Sequence, residues 1–235
     1  MTAARLPRFT LVLASAGILL GAAACTSSGG SLPGAGSLSY DQVRSTAQEI
    51  GTGKAGACPF GLDLDKALRS AGIPGSVGPD PKDGTSLTGD VGEGRPPEPW
   101  PPSVSHPPAM PSIPATPPTA EISCGYKVDD THVDIDLLAV PQNGTAFNLM
   151  LPRIQRVAGI GSDQIQQAAA EQPGAGRTKL VPGGKGTAAV ARIAPRGAGD
   201  IVLVLSQEPD GGAPRPTLTG EPLRKAAEAL AAQLK

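Results

Sequence analysis

Aromatic and histidine side chains are almost missing from this chain. Its 235 residues hold one Trp, two Tyr, three Phe and two His, so any core must be built mainly from Val, Leu, Ile and Ala. His106 sits among prolines, a poor place to hold a base within reach of a nucleophile. A Ser/His/Asp hydrolase would therefore have to use His132, and no Gly-x-Ser-x-Gly elbow supplies its serine. Charge of one sign is missing too. The chain carries 20 basic and 21 acidic residues, which leaves no electrostatic footprint for nucleic acid and no basic patch for anionic headgroups. A bilayer-spanning run is absent as well: the apolar stretch Leu11–Ala24 is 14 residues, against roughly 20 for a spanning helix.

That stretch has another reading. Arg5 and Arg8 precede it, and Gly21-Ala22-Ala23-Ala24 leads into Cys25. A positive n-region, an apolar h-region and small residues at the cut make a secretory signal over residues 1–24. A cysteine at the cut looks like the lipobox of bacterial lipoproteins, whose thiol receives a diacylglyceryl group and becomes the first mature residue. Ala22 stands at −3, where leucine is commonest, so plain secretion with a free Cys25 is the alternative. Residues 25–39 have the Gly/Ser composition of a flexible tether. The expected place is the extracytoplasmic face of the cell membrane, the lipid on Cys25 being the membrane contact.

After residue 24 the chain carries 18 basic and 21 acidic residues, and its length from Tyr40 to Lys235 suits a single domain. With Cys25 assigned to lipid, Cys58 and Cys124 remain. An even pair in an oxidising compartment reads as one disulfide; a catalytic thiol or a metal pair would want a nearby histidine.

Periodicity predicts a helix over Tyr40–Ile50, with Val43 and Ala47 on its stripe, and a second after Asp63 stopped by Gly72-Ile73-Pro74. From about 75 to 120 the chain turns to Gly, Pro, Ser and Thr. Its section Arg95–Pro118 reads as a disordered or polyproline-type insertion unable to form a ladder, with Trp100 at the centre of a possible docking arm. Glu121–Val128 and Val133–Val140 read as a hairpin turning at Asp129-Asp130. A helical region follows Asn143-Gly144, capped by Thr145, interrupted by Pro152 and restarted with Ser162 as cap. Thr187–Ile193 and Ile201–Ser206 read as strands, and Pro222–Leu234 as a closing helix. Strands joined as hairpins with helices between them argue for an α+β fold, an antiparallel sheet covered by helices.

CPFGLDLDKALRSAGI, SCGYKV and VPGGKGTAAV together resemble a family of small actinobacterial lipoproteins of unknown function. The resemblance implies a PsbP-like α/β/α sandwich and a disulfide matching Cys58 to Cys124. It carries no activity to transfer.

His132, Asp134 and Asp136 alternate with Val133, Ile135 and Leu137, so the three polar groups share one strand face about 7 Å apart. The expectation is a solvated face of a half-buried strand. A metal held by all three is the weak alternative, sharpened if helices cover both faces. Gly183–Thr187 fails the phosphate-loop pattern, because glycine follows the lysine. Asp63/Asp65 and Asp129/Asp130 suit caps and turns. No catalytic residue and no cofactor motif emerges. The expected function is a non-catalytic ligand-binding module of the cell envelope, taking a small amphiphile between helix and sheet. The alternative is an accessory or scaffold protein that docks an envelope protein through the Pro-rich arm. An apolar cavity would favour the first, an ordered arm the second.

Overall fold

Apolar stripes and their stop signals lay down the helices. A computed structural model describes residues 38–54, 56–80, 86–181, 187–207 and 218–235, all inside the compact unit Leu32–Lys235. Cys25, the signal, most of the tether and the turn 182–186 lie outside the described residues. Helix α1, Tyr40–Gly51, buries Tyr40, Val43, Ala47 and Ile50, the stripe its spacing predicts. Its start is a capping box: the Ser39 N–H donates to Gln42 Oε1 at 2.9 Å and the Gln42 N–H to Ser39 Oγ at 3.3 Å. Helix α2, Leu64–Ser70, is capped by Asp63, whose Oδ1 accepts from the Lys66 N–H at 2.8 Å. It ends as the sequence predicts. Gly72 takes φ +76°, so the Ile73 N–H reaches back to the Leu68 carbonyl at 2.9 Å.

The strands are β1 (Val77–Pro79), β2 (Leu87–Gly92), β3 (Glu98–Pro99), β4 (Ser112–Ile113), β5 (Thr119–Val128), β6 (Thr131–Val140), β7 (Thr178–Val181), β8 (Thr187–Ile193) and β9 (Asp200–Gln207). Their principal sheet is antiparallel throughout, in the order β5-β6-β9-β8-β7, with β1 and β2 end to end along the outer edge of β5. The β5–β6 hairpin turns at Asp129-Asp130 as expected, Asp129 taking φ +53°. Helices α3 (Ala146–Ala158), α4 (Ser162–Ala170) and α5 (Gly220–Gln233) complete the order. The fold is α+β, with helices on both faces of the sheet. Residues Ile201, Leu203 and Leu205 of β9 pack with α1, α2 and α5, while Val202 and Val204 face α3.

The disulfide joins Cys58 and Cys124, with Cα atoms 5.8 Å apart. It staples the segment before α2 to β5 across a sequence separation of 66 residues. In the chain-entropy account such a loop contributes about 4 kcal/mol.

Four local expectations are corrected. The Pro-rich segment is not an unpaired excursion. Residues 77–79 and 87–92 extend the sheet, and β3 pairs with β4 above a bridge in which Arg95 and Thr116 exchange backbone bonds of 2.8 and 2.9 Å. A two-stranded ribbon needs only some of its N–H groups, so prolines occupy the positions that need none. Pro152 does not interrupt α3, because Phe147, Met150, Ile154 and Val157 on either side are buried and hold the helix on the sheet. Thr145 makes no cap bond; the Ala146 N–H is taken at 3.0 Å by Asp200 Oδ2. Ser162 lies inside α4, and Gln164 Oε1 instead accepts from the Gly161 N–H at 3.1 Å.

Candidate functional site

Two places on the α3/α4 face of the sheet carry chemistry. The first is the alternating strip of β6. It is not a solvated face: His132 and Asp134 are each 8% exposed and Asp136 is fully buried. β6 is an interior strand, and Arg153 of α3 reaches over it. Arg153 Nε donates to Asp136 Oδ2, and its Nη2 lies 3.4 Å from Asp134 Oδ2. Ser123 Oγ donates to Asp136 Oδ1 at 2.5 Å from the neighbouring strand. His132 Nδ1 lies 2.5 Å from Asp80 Oδ2, brought there by the edge strand. Its Nε2 is 3.1 Å from Asp134 Oδ1 but not aligned for a hydrogen bond. Among the described residues, that Nε2 and Ser206 Oγ are buried without a hydrogen-bond partner.

Burial pushes the Asp136 carboxyl up to about 6, against the opposing pull of Arg153 and Ser123. Arg153 is itself half-sheltered, which works against its charge, yet the charge and hydrogen bond of Asp136 outweigh that and raise its pKa. The strip is therefore a neutralised polar seam that fastens α3 to the sheet. Among the described residues no group of three or more His, Cys, Asp or Glu side chains is placed to hold a metal ion. Arg153 and Asp80 stand 17 and 52 residues from the groups they meet, beyond the reach of local spacing. The remaining acid pairs serve structure. Asp63 caps α2, Asp65 pairs with Arg69, and Asp129 Oδ1 accepts from the Ser76 N–H at 2.9 Å. Asn143 Oδ1 accepts from the Gly199 N–H at 3.1 Å, tying together the loops before α3 and β9.

The second place is an apolar cavity of about 120 Å³ between α4 and the β7–β8 edge, floored by Phe147, Leu180, Val181 and Val190 and roofed by Ala168. The roof is loosely held, since α4 buries none of its residues. Gln164, Gln167, Glu171 and Lys179 stand at the rim: Lys179 Nζ bonds Glu171 Oε2 at 2.5 Å and the Glu171 carbonyl at 3.0 Å. Hydrogen bonds from Lys179 and then Gln167 lower the Glu171 pKa. The chemistry available is that of an apolar tail inside and an anionic head outside, the head exchanging with Glu171 for the lysine. An apolar cavity is the feature expected to favour the ligand-binding reading over the docking arm, and no residue pattern marked its position. β7 carries no strand signal of its own, because four residues with Leu180 and Val181 at the end show no alternation.

His106 and Trp100 lie away from both places, stacked on one another in the ribbon with ring centres 5.5 Å apart. Among the described residues no helix is long and apolar enough to cross a membrane. No family model, no curated protein and no solved structure matches the chain.

Proposed function

We propose that this chain is a non-catalytic, lipid-anchored module of the cell envelope that takes up a small amphiphile under α4. The observation that carries the reading is the apolar cavity beneath a helix with no buried residue. At about 120 Å³ it has room for about four water-sized groups. A short acyl or alkyl end fits as the molecule stands, and a longer one enters as α4 lifts. Lys179 at the rim favours a carboxylate or phosphate head.

The address supports the reading. Arg5, Arg8, the apolar Leu11–Ala24 run and Cys25 have the order of a lipoprotein signal, and the Cys58–Cys124 disulfide fits an oxidising compartment. The helix-covered antiparallel sheet and that cysteine pairing also support placing the chain among PsbP-like actinobacterial lipoproteins.

Titration of the purified protein with a dansylated undecanoic acid tests the reading. Saturable fluorescence enhancement below the probe's micellar range is the expected result. Ala168→Trp, which fills the cavity from the roof, abolishes it while the disulfide and circular dichroism stay intact. Linear, unsaturated enhancement that Ala168→Trp leaves unchanged would overturn the proposal.

A further inference from the structure

The ribbon carries a second contact surface, and its composition and its place in the fold both point to the same partner. No Asp, Glu, Lys or Arg stands between Glu98 and Glu121. The tip is nevertheless an ordered device. The Trp100 Nε1–H donates to the Met110 carbonyl at 2.8 Å, Trp100 stacks on His106, and the Val104 and Met110 N–H groups close turns onto Pro101 and Pro107 at 2.9 Å. Among the described residues three large apolar side chains are exposed, and two of them, Val104 and Met110, are on this tip at 43% and 42%. An uncharged, proline-stiffened finger with an aromatic ring and bare aliphatic side chains is poorly matched to water and well matched to the headgroup boundary of a bilayer.

The direction of the finger follows from the packing of α1. Gly89 of β2 lies so close under α1 that a Cβ there would meet Ile50 Cβ at 2.8 Å. Just past the end of that strand, Arg44 pairs with Glu93 at 2.9 Å. Residues of falling number in α1 therefore run toward the base of the ribbon, and the chain enters the described unit at that end. There the Leu38 carbonyl accepts from the Arg196 N–H at 2.7 Å. Leu38 stands thirteen positions after Cys25, a reach of at most about 45 Å. Leu38 and the base of the ribbon lie at the same end of the sheet.

We propose that the ribbon tip is a membrane-contact finger, seating Trp100, Val104 and Met110 at the lipid headgroup boundary. The finger rests on the lipid-anchored reading of the chain, since one anchor and one finger at the same end fix the domain's orientation as well as its distance from the surface. With a single tether the domain would be free to turn. With two contacts the opposite end of the sheet is held away from the membrane.

Trp100 is the sole tryptophan, so its fluorescence reports this contact without labelling. The mature lipidated protein, extracted from membranes, is reconstituted into phosphatidylcholine vesicles with brominated or unmodified acyl chains. Bromine quenches tryptophan only at short range. The finger requires at least twofold quenching of Trp100 in brominated vesicles. Val104→Asp with Met110→Asp returns emission to the unbrominated level, with vesicle flotation unchanged. Flotation without quenching overturns the finger and leaves the anchor standing; a protein partner of an envelope complex, or a second copy, would then be what covers the tip. Failure to float overturns the anchored reading and the finger with it.

Discussion

On one face of the sheet Ile122, Ile135, Leu137, Leu203 and Leu205 lie under α1, α2 and α5, with the disulfide stapling the outer edge. On the other, Ala188, Val190, Val202 and Val204 lie with Phe147, Met150 and Ile154 of α3. That face also holds the carboxylates of β6, which Arg153 ties to α3, and ends under a helix with nothing fully buried. The two faces share strands and differ in what they bury. Close-packed aliphatic side chains plus a covalent staple resist opening. A helix that buries none of its residues, set over Phe147, Val181 and Val190, leaves a cavity and opens more readily. The staple thus belongs to one face and the cavity to the other.

The largest separation between the faces should come from the staple. Cys58→Ala with Cys124→Ala is expected to lower stability by about 4 kcal/mol, read as a lower denaturant midpoint with a steeper slope, since the unfolded chain loses its cross-link. A shift below about 1 kcal/mol would mean that the first face does not depend on its edge. Next comes the polar seam. Arg153→Met leaves the carboxylate of Asp136 buried without its cation, a loss of about 3 kcal/mol at pH 7.5. Because the folded value of Asp136 sits at about 6, above its ordinary 3.8, the folded state holds that proton more tightly than the unfolded one. Its contribution to stability is fully present below about pH 4 and is lost as pH rises through about 6. The penalty of Arg153→Met should therefore shrink on going from pH 7.5 to 5, measured by urea unfolding at each pH. A penalty independent of pH would remove Asp136 from the account.

The smallest effect sharpens the comparison most. Leu205→Ala, on the tightly packed face, is expected to cost about 3 kcal/mol. Ile165→Ala, in α4 and only partly buried against the other core, is expected to cost less than about 1 kcal/mol. Equal costs would erase the distinction between the faces.

The helices of the first face were legible because Val43, Ala47 and Ile50, like Leu223, Ala227 and Leu230, repeat at helical spacing and end at recognisable stops. The hairpin was legible from alternation around two aspartates, and the disulfide from the count of cysteines. The edge strands were not. Val77–Pro79 is only three residues long, and in Leu87–Gly92 the alternation of Leu87 and Val91 with Thr88 and Asp90 is broken by Gly89, which lies against α1, so neither carries a plain strand signal. The seam was half legible. His132, Asp134 and Asp136 stood out by their spacing, but whether they faced water depended on α3. The one hint was Arg153, set among Met150, Ile154 and Val157 of a helix whose inner face is otherwise apolar. The cavity had no signal, because it is the space left between residues distant in sequence, among them Phe147, Ala168 and Val190.

Hydrogen exchange resolved by peptide, on the folded protein with its disulfide intact, tests the contrast between the faces most directly. The amides of α4 and β7 should exchange through local opening at a free energy well below that of α1, α5 and β9, and should gain protection when the dansylated acid binds. Protection in α4 equal to that in α5, and unmoved by the probe, would contradict the division of the sheet into a clamped face and a receptive one.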